Sequence, residues 1–259
     1  MPTDANGFSS PALVELAGTA LTPCSQAELL GWLQRRWREG ERGLLLGHHN
    51  LHSLFLCQRE PLVREFYRRC QRCYVDGLGA LWLLRAAGLD TRGARRFSLM
   101  DSLPALLDWL QAANLSLYYL GGSPLATARG RAWLARDYPQ LRAMLQPGYE
   151  VEDAATVEAI NRFRPDLLLV GMGMPRQEAW LLQHQAQLDV GAMLQAGGTL
   201  DYYTGLQAKP PRPLSRIGLG WLYRLLRDPR RLWRRYLITP WSLLGPTLTL
   251  RRNLARGRR

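Results

Sequence analysis

The 259-residue chain can bury one substantial core, or a core with an appendage, and its 47% apolar content excludes a disordered polymer. Its formal charge of +13 is uneven: residues 207–259 hold 14 Lys and Arg against Asp228 alone, while the first 206 residues hold 20 basic and 20 acidic. That asymmetry points to an anionic partner for the tail, such as nucleic acid, a lipid surface or phosphates.

The start, MPTDANGFSSPALVEL, has an early acid and no basic residue before its short apolar stretch, unlike a signal peptide, so a cytoplasmic protein with unpaired cysteines is expected. Ser25 opens a capping box for a helix over about 26–38, and GLLLGHHN then supplies an apolar strand. Helical patterning runs through HSLFLCQREPLVREFYRRC. Cys70 at its end and Cys73 just beyond form a lone CxxC, read as two ordinary cysteines. CYVDGLGALWLLRAAG reads as strand, turn and helix, as do SLYYLGGSPLATARGRAWLARDY and DLLLVGMGMPRQEAWLLQHQ, and GAMLQAGGTLDYY follows. This alternation is what a parallel sheet with covering helices requires, and ligands collect at the carboxyl ends of such strands. The fold class is therefore α/β, Rossmann-like, with a body over 1–206 and a basic amphipathic helical appendage over 207–259.

Candidate ligand contacts stand at those strand ends. Gly171 and Gly173 leave backbone amides open to a ligand, and Gly122 ends another apolar run. Pro175 suits a helix start whose free amides favour an anion such as a diphosphate. Spacing alone reads this turn equally as a tight strand-to-helix connection. Asp76, in YVDGLG, is placed to act as a base on a bound hydroxyl, although an Asp there is more often a helix cap. Asn50 and Asp201 face the same rim. His48, His49 and His52 do not reach metal-ligand spacing, and with no Asp-x-Asp present, arginines and amides are expected to neutralise a diphosphate without metal or cofactor.

In the tail, LGWLYRLLRDPRRLWRRYL reads as two short helices separated at Asp228-Pro229. Arg224, Arg227, Arg231 and Arg234 recur at helical spacing, with Leu222, Leu226, Trp233 and Leu237 on another face. Such a surface suits an anionic bilayer better than nucleic acid. LITPWSLLGPTLTL is too short and too rich in proline to span one.

YVDGLG, LYYLGG, RPDLLLVGMGMPRQEAWL, AGGTLDYYTG and WLYRLLRDPRRLWRRY, in this order, resemble the WecG/TagA/CpsF glycosyltransferase family from about residue 13 to 240. The resemblance implies an inverting, metal-independent transferase that moves a sugar from a UDP-sugar to a polyprenyl-diphosphate-linked sugar at the inner face of the cytoplasmic membrane, in cell-surface polysaccharide synthesis. It implies Asp76 as general base, Asn50, Gln177 and Asp201 in the donor pocket, and Arg224, Arg231 and Arg234 on the lipid diphosphate or leaving UDP. The chain departs from the family's usual Thr-x-Asn at His48-His49-Asn50, so His48 is a candidate to share the proton work. It also departs at Leu219-Gly220-Trp221, Lys209-Pro210-Pro211 and Leu99. N-acetylmannosamine, N-acetylmannosaminuronate and glucose all stay open as the transferred sugar, and homo-oligomer formation stays open too. The competing expectation is a nonenzymatic membrane-surface or nucleic-acid-binding protein that uses the basic tail.

Overall fold

The computed structural model describes residues 14–256 apart from 90, 92–97, 150, 212 and 215–218, with only the backbone at Arg231. A hairpin, β1 (Val14–Leu16) and β2 (Thr19–Leu21), precedes α1 (Gln26–Arg38), whose Ser25 and Glu28 form the expected capping box. β3 (Leu44–His49), α2 (Leu51–Arg59), α3 (Pro61–Arg69), β4 (Arg72–Val75) and α4 (Leu78–Ala86) follow. Next come α5 (Leu99–Ala112), β5 (Leu117–Gly121), α6 (Pro124–Asp137), β6 (Ala143–Gln146) and α7 (Asp153–Phe163). β7 (Leu167–Gly171), α8 (Arg176–His184), β8 (Ala192–Gln195) and α9 (Thr199–Tyr203) complete the body.

The six body strands form one parallel sheet in the order β4-β3-β8-β7-β5-β6. Parallel strands are covered on both faces, which is why their sequences are unbroken apolar runs. Successive residues feed opposite cores: Leu44, Leu46, Leu117, Tyr119, Leu167 and Leu169 pack into one, and Leu45, Tyr118, Leu120, Leu168 and Val170 into the other. The chain leaves β5 toward β6 and leaves β7 in the opposite direction toward β8. The order therefore reverses between the neighbours β5 and β7. Gly121 and Gly171 face each other there.

The tail forms α10 (Gly220–Arg227), α11 (Pro229–Trp233), a π-helical turn (Arg234–Ile238), α12 (Thr239–Ser242) and α13 (Leu244–Arg256). The break at Asp228-Pro229 falls where the sequence suggests, and α13 is a full helix with Pro246 taken up in its first turn. Leu243 and Leu250 are buried in a third core with Ala80, Leu81 and Leu84 of α4 and with Val14, Leu16 and Leu21 of the hairpin. The end of the tail therefore shares a core with the body in the same chain. No helix among the described residues is long and apolar enough to cross a membrane.

Leu243 is fully buried at this joint. Leu243→Ala is expected to lower unfolding free energy by about 2–4 kcal/mol in a single transition. Urea unfolding followed by circular dichroism checks this, and an unchanged midpoint would mean that the tail does not fold with the body.

Candidate active site

Asp76 follows β4 directly, its N–H donating to His49 O at 2.8 Å, so register with β3 fixes where the carboxylate sits. Gly77, at φ +83, then turns the chain into α4. No cap hydrogen bond is made at that helix start, so the capping alternative for Asp76 does not describe what its carboxylate does. Among the described residues Oδ1 of Asp76 is buried with no hydrogen-bond partner, and Oδ2 lies 3.9 Å from Nε2 of His48. A buried carboxylate oxygen lacking a donor is costly, and a ligand hydroxyl is the kind of group that would satisfy it.

His48 is buried beside the Tyr74 ring, and burial pushes its pKa below the ordinary value, so it faces Asp76 as a neutral imidazole. Its Nδ1 also lacks a partner. His49, one residue on, points to the other face of the sheet and is structural. Its ring nitrogens lie 3.1 Å from Thr19 Oγ1 and 3.2 Å from Ser53 Oγ, and burial lowers its pKa to about 3. Among the described residues no group of three or more His, Cys, Asp and Glu could hold a metal ion, and all four cysteines are free.

Asn50 caps α2, its Oδ1 accepting from the N–H of His52 at 2.9 Å and of Ser53 at 3.1 Å. The cap fixes the amide orientation and leaves Nδ2 as the donor for the cavity that Asn50 lines. That cavity, about 490 Å³, has Asp76, Asn50 and His52 on the body side and Trp221, Arg224, Arg235 and Tyr236 on the tail side. Burial, reinforced by a weaker push from Arg235, brings the His52 pKa down to about 4. Arg224 stacks over Tyr236 with 5.7 Å between guanidinium carbon and ring centre, and its buried Nε has no partner. Burial lowers the Arg235 pKa, and Arg224 adds to the effect against the opposing pull of Tyr236 and Asp76. Two guanidiniums thus converge on one cavity with no carboxylate salt bridge to either among the described residues.

Arg224 is therefore where the sequence suggests. Arg234 is exposed and packs over Trp233 at 5.2 Å, outside the cavity lining, and the side chain of Arg231 lies outside the described residues. The sequence reading does not single out Arg235, because the helical spacing that starts at Arg224 is interrupted at Asp228-Pro229.

The glycine rim lies elsewhere along the sheet. Gly171, Gly173, Gly122, Gln177 and Asp201 do not line the cavity. β4 and β7 are three strand spacings apart, about 14 Å. Gly171 is not glycine for ligand access: a Cβ there would lie 2.1 Å from Tyr119 Oη and 2.7 Å from Gly197 O, so packing demands it. Gly173 does fit the expectation of an open turn, with φ +79 and nothing within 4 Å of a Cβ. Gly122 has φ +71, and its N–H is taken by Gly171 O at 3.2 Å. Pro175 sits at the cap position, one residue before α8.

The polar side chains of the Arg176-Gln177-Glu178 box are engaged within the protein. Arg176 donates to Tyr149 O. Gln177 is fully buried, its Oε1 accepting from Gly197 N at 3.0 Å and its Nε2 donating to Glu178 Oε1 at 2.9 Å. The box thereby ties the helix after β7 to the loop after β8. Asp201, on α9, accepts from Gln207 Nε2 at 3.0 Å, and its neighbour Tyr202 lies beside Arg224.

The sequence model of the Glycosyl transferase WecG/TagA/CpsF family matches residues 14–258. The chain belongs to this family. Enzymes named N-acetylglucosaminyldiphosphoundecaprenol N-acetyl-beta-D-mannosaminyltransferase from Staphylococcus aureus strains MW2, NCTC 8325 / PS 47 and COL are each 31% identical to it over 142 residues, 54% of this chain and 56% of theirs. The chain spans about half the length of the curated relatives it matches.

Glu178 gives this WecG/TagA/CpsF member a pH signature. Burial raises its pKa from 4.5 to about 7. Between those values the folded state holds a proton that the unfolded state has lost, so stability falls as pH rises through the window and levels off above about 7. Glu178→Gln should flatten that slope, gaining on the order of 3 kcal/mol over wild type at pH 8 relative to pH 4. Denaturant unfolding across pH measures it, and parallel curves for the two proteins would refute the assignment.

Proposed function

We propose that the chain transfers a sugar from a UDP-sugar to the hydroxyl of a sugar carried on a polyprenyl diphosphate, by a single inverting displacement at Asp76. The observation that carries this reading is the Asp76 carboxylate, its Oδ1 without a hydrogen-bond partner among the described residues, lining one cavity with Arg224 and Arg235. The displacement needs a base on the attacking hydroxyl and positive charge near the phosphates. Asp76 takes the hydroxyl proton as the oxygen attacks the anomeric carbon, and the bond to the departing UDP breaks. Arginine suits the phosphates, since its fork can make two parallel bonds to their oxygens. The Staphylococcus relatives are named for an acceptor on a diphosphoundecaprenol and for an N-acetylmannosaminyl donor group, which supports this acceptor class and makes UDP-N-acetylmannosamine the first donor to try. UDP-N-acetylmannosaminuronate and UDP-glucose are the others.

The separation of the two rims suits an extended donor. A UDP-sugar laid along the strand tips has its nucleotide toward the open turn at Gly173 and its sugar toward Asp76. Neutral His48, behind the carboxylate, orients it. Asp76→Asn is expected to lower transfer of radiolabelled sugar to a short polyprenyl-diphosphate-sugar by about 100- to 10,000-fold while donor binding persists. Unchanged turnover would remove Asp76 from the chemistry.

The tail serves as a membrane contact from the cytoplasmic side. Leu226, Trp233, Leu237, Ile238, Trp241, Leu244 and Leu248 are all exposed, an apolar run beside Arg227, Arg230, Arg234, Arg251 and Arg252. Apolar side chains in such number on one segment match an interfacial surface better than a solvated one. Trp241, 71% exposed, is the most informative probe. Trp241→Ser should weaken cosedimentation with anionic vesicles by about tenfold, and equal binding would reject this face as the contact.

A further inference from the structure

We propose that the cavity above Asp76 also holds the first isoprene units of the acceptor lipid, laid along α4. This rests on the acceptor class proposed above and goes beyond it, because that reading requires only the sugar and the diphosphate to enter.

The cavity has two unlike sides. Around Asp76 it is polar and cationic, and along α4 it is apolar, lined by Leu78, Trp82, Leu83 and Ala86 and closed by Trp221 and Pro240 of the tail. α4 reads LGALWLLRA, and its buried positions Ala80, Leu81 and Leu84 already face the body. A surface helix of this kind ordinarily turns polar residues outward. Here the outward positions carry Trp82, 53% exposed, and the half-buried Leu83, with Arg85 the one charge in the helix. The apolar wall thus begins beside the phosphate-sized cationic end and runs outward.

The direction in which it runs identifies the occupant. α13 packs against α4, and Trp241 follows directly on the cavity-lining Pro240. The wall is therefore continuous with the exposed apolar face of the tail. A sugar diphosphate alone would leave α4 wet. A prenyl chain whose diphosphate sits between Arg224 and Arg235 starts at the inner end of the wall and leaves over its outer end toward a bilayer. Charge at one end and hydrocarbon along the rest match a prenyl diphosphate, and neither a free nucleotide nor a simple alcohol has both.

The test reads binding, not transfer. Farnesyl diphosphate, inorganic diphosphate and farnesol are titrated calorimetrically into the full chain in detergent-free buffer, using wild type, Leu83→Gln, and Leu125→Gln as an exposed control outside the cavity lining. Farnesyl diphosphate should bind at least about tenfold tighter than either of the others, a difference of about 1.4 kcal/mol. Leu83→Gln should lose most of that gain while its affinity for inorganic diphosphate persists, which also shows that the variant is folded. Leu125→Gln should keep both. Farnesyl diphosphate binding no tighter than inorganic diphosphate, farnesol binding as well as farnesyl diphosphate, or a gain that survives Leu83→Gln would each overturn the proposal. A chain that shows the expected binding but transfers no sugar keeps the prenyl groove and loses the transferase reading. A chain that transfers sugar equally well to ethyl- and farnesyl-diphosphate acceptors loses the groove alone.

Discussion

Burial of Leu243 and Leu250 against α4 constrains everything around the candidate site. Once α13 is committed to that core, the chain between Gly220 and Ser242 has to arch over the tips of β3 and β4, and Arg224 and Arg235 are carried in with it. Two guanidiniums near one carboxylate, part-withdrawn from water, are an unfavourable arrangement for the empty protein, since like charges repel and the buried Nε of Arg224 finds no acceptor among the described residues. Apolar packing of the tail offsets that cost. The excess positive charge is what a diphosphate would neutralise.

The carboxyl edge of the sheet is held in register by side chains that never reach solvent. Gln177 joins the helix after β7 to Gly197 after β8, and Gln195 of β8 reaches Tyr67 Oη at 2.5 Å and His48 O at 3.3 Å. Tyr67 Oη also donates to His48 O at 2.9 Å. Hydrogen bonds therefore hold both ends of this segment: Gly197, just after β8, to Gln177, and Gln195, within β8, to Tyr67 and to the strand that carries His48, whose imidazole backs Asp76. Buried amides of this kind specify one arrangement, because any slip would leave several polar groups unpaired. Glu178, kept protonatable by burial, accepts from Gln177 at the glycine rim.

The sheet was legible in the sequence because parallel strands buried on both faces are uninterrupted apolar runs, and β3, β5, β7 and β8 were read from them. The edge strand β6, four residues with Met144 exposed, carries no such run, and the β1-β2 hairpin is equally short. α5 has Pro104 inside it and was not read as a helix. That Asp76, Asn50 and Arg224 share one cavity follows from strand tips and helical spacing, which fix position without side-chain detail. Gly171 and Gln177 were harder: nothing in GMGMPRQE distinguishes a glycine that admits a ligand from one that admits Tyr119 Oη, or a glutamine facing a pocket from one facing Gly197. That distinction belongs to packing between distant segments. Arg235 was obscured for a related reason, since the π-helical turn at Arg234–Ile238 sets which of two adjacent arginines faces inward.

The distance between the rims also bears on how labour is divided in the site. A side chain at the β4 tip and a backbone turn after β7 cannot both touch one sugar ring across about 14 Å. Residues at the glycine rim can therefore act only on a part of the ligand remote from the reacting carbon, and contacts there contribute to rate by fixing where the sugar lies. In the proposed mechanism the reacting end meets a different set, the groups that line the cavity: a carboxylate from the body, guanidiniums from the tail, and the apolar wall of α4. Because the guanidiniums enter only when the tail is folded over the strand tips, the chemistry depends on a segment whose outer face is apolar and basic. On the proposed reading, the charge meant for the phosphates is in place only while the tail is packed over the strand tips.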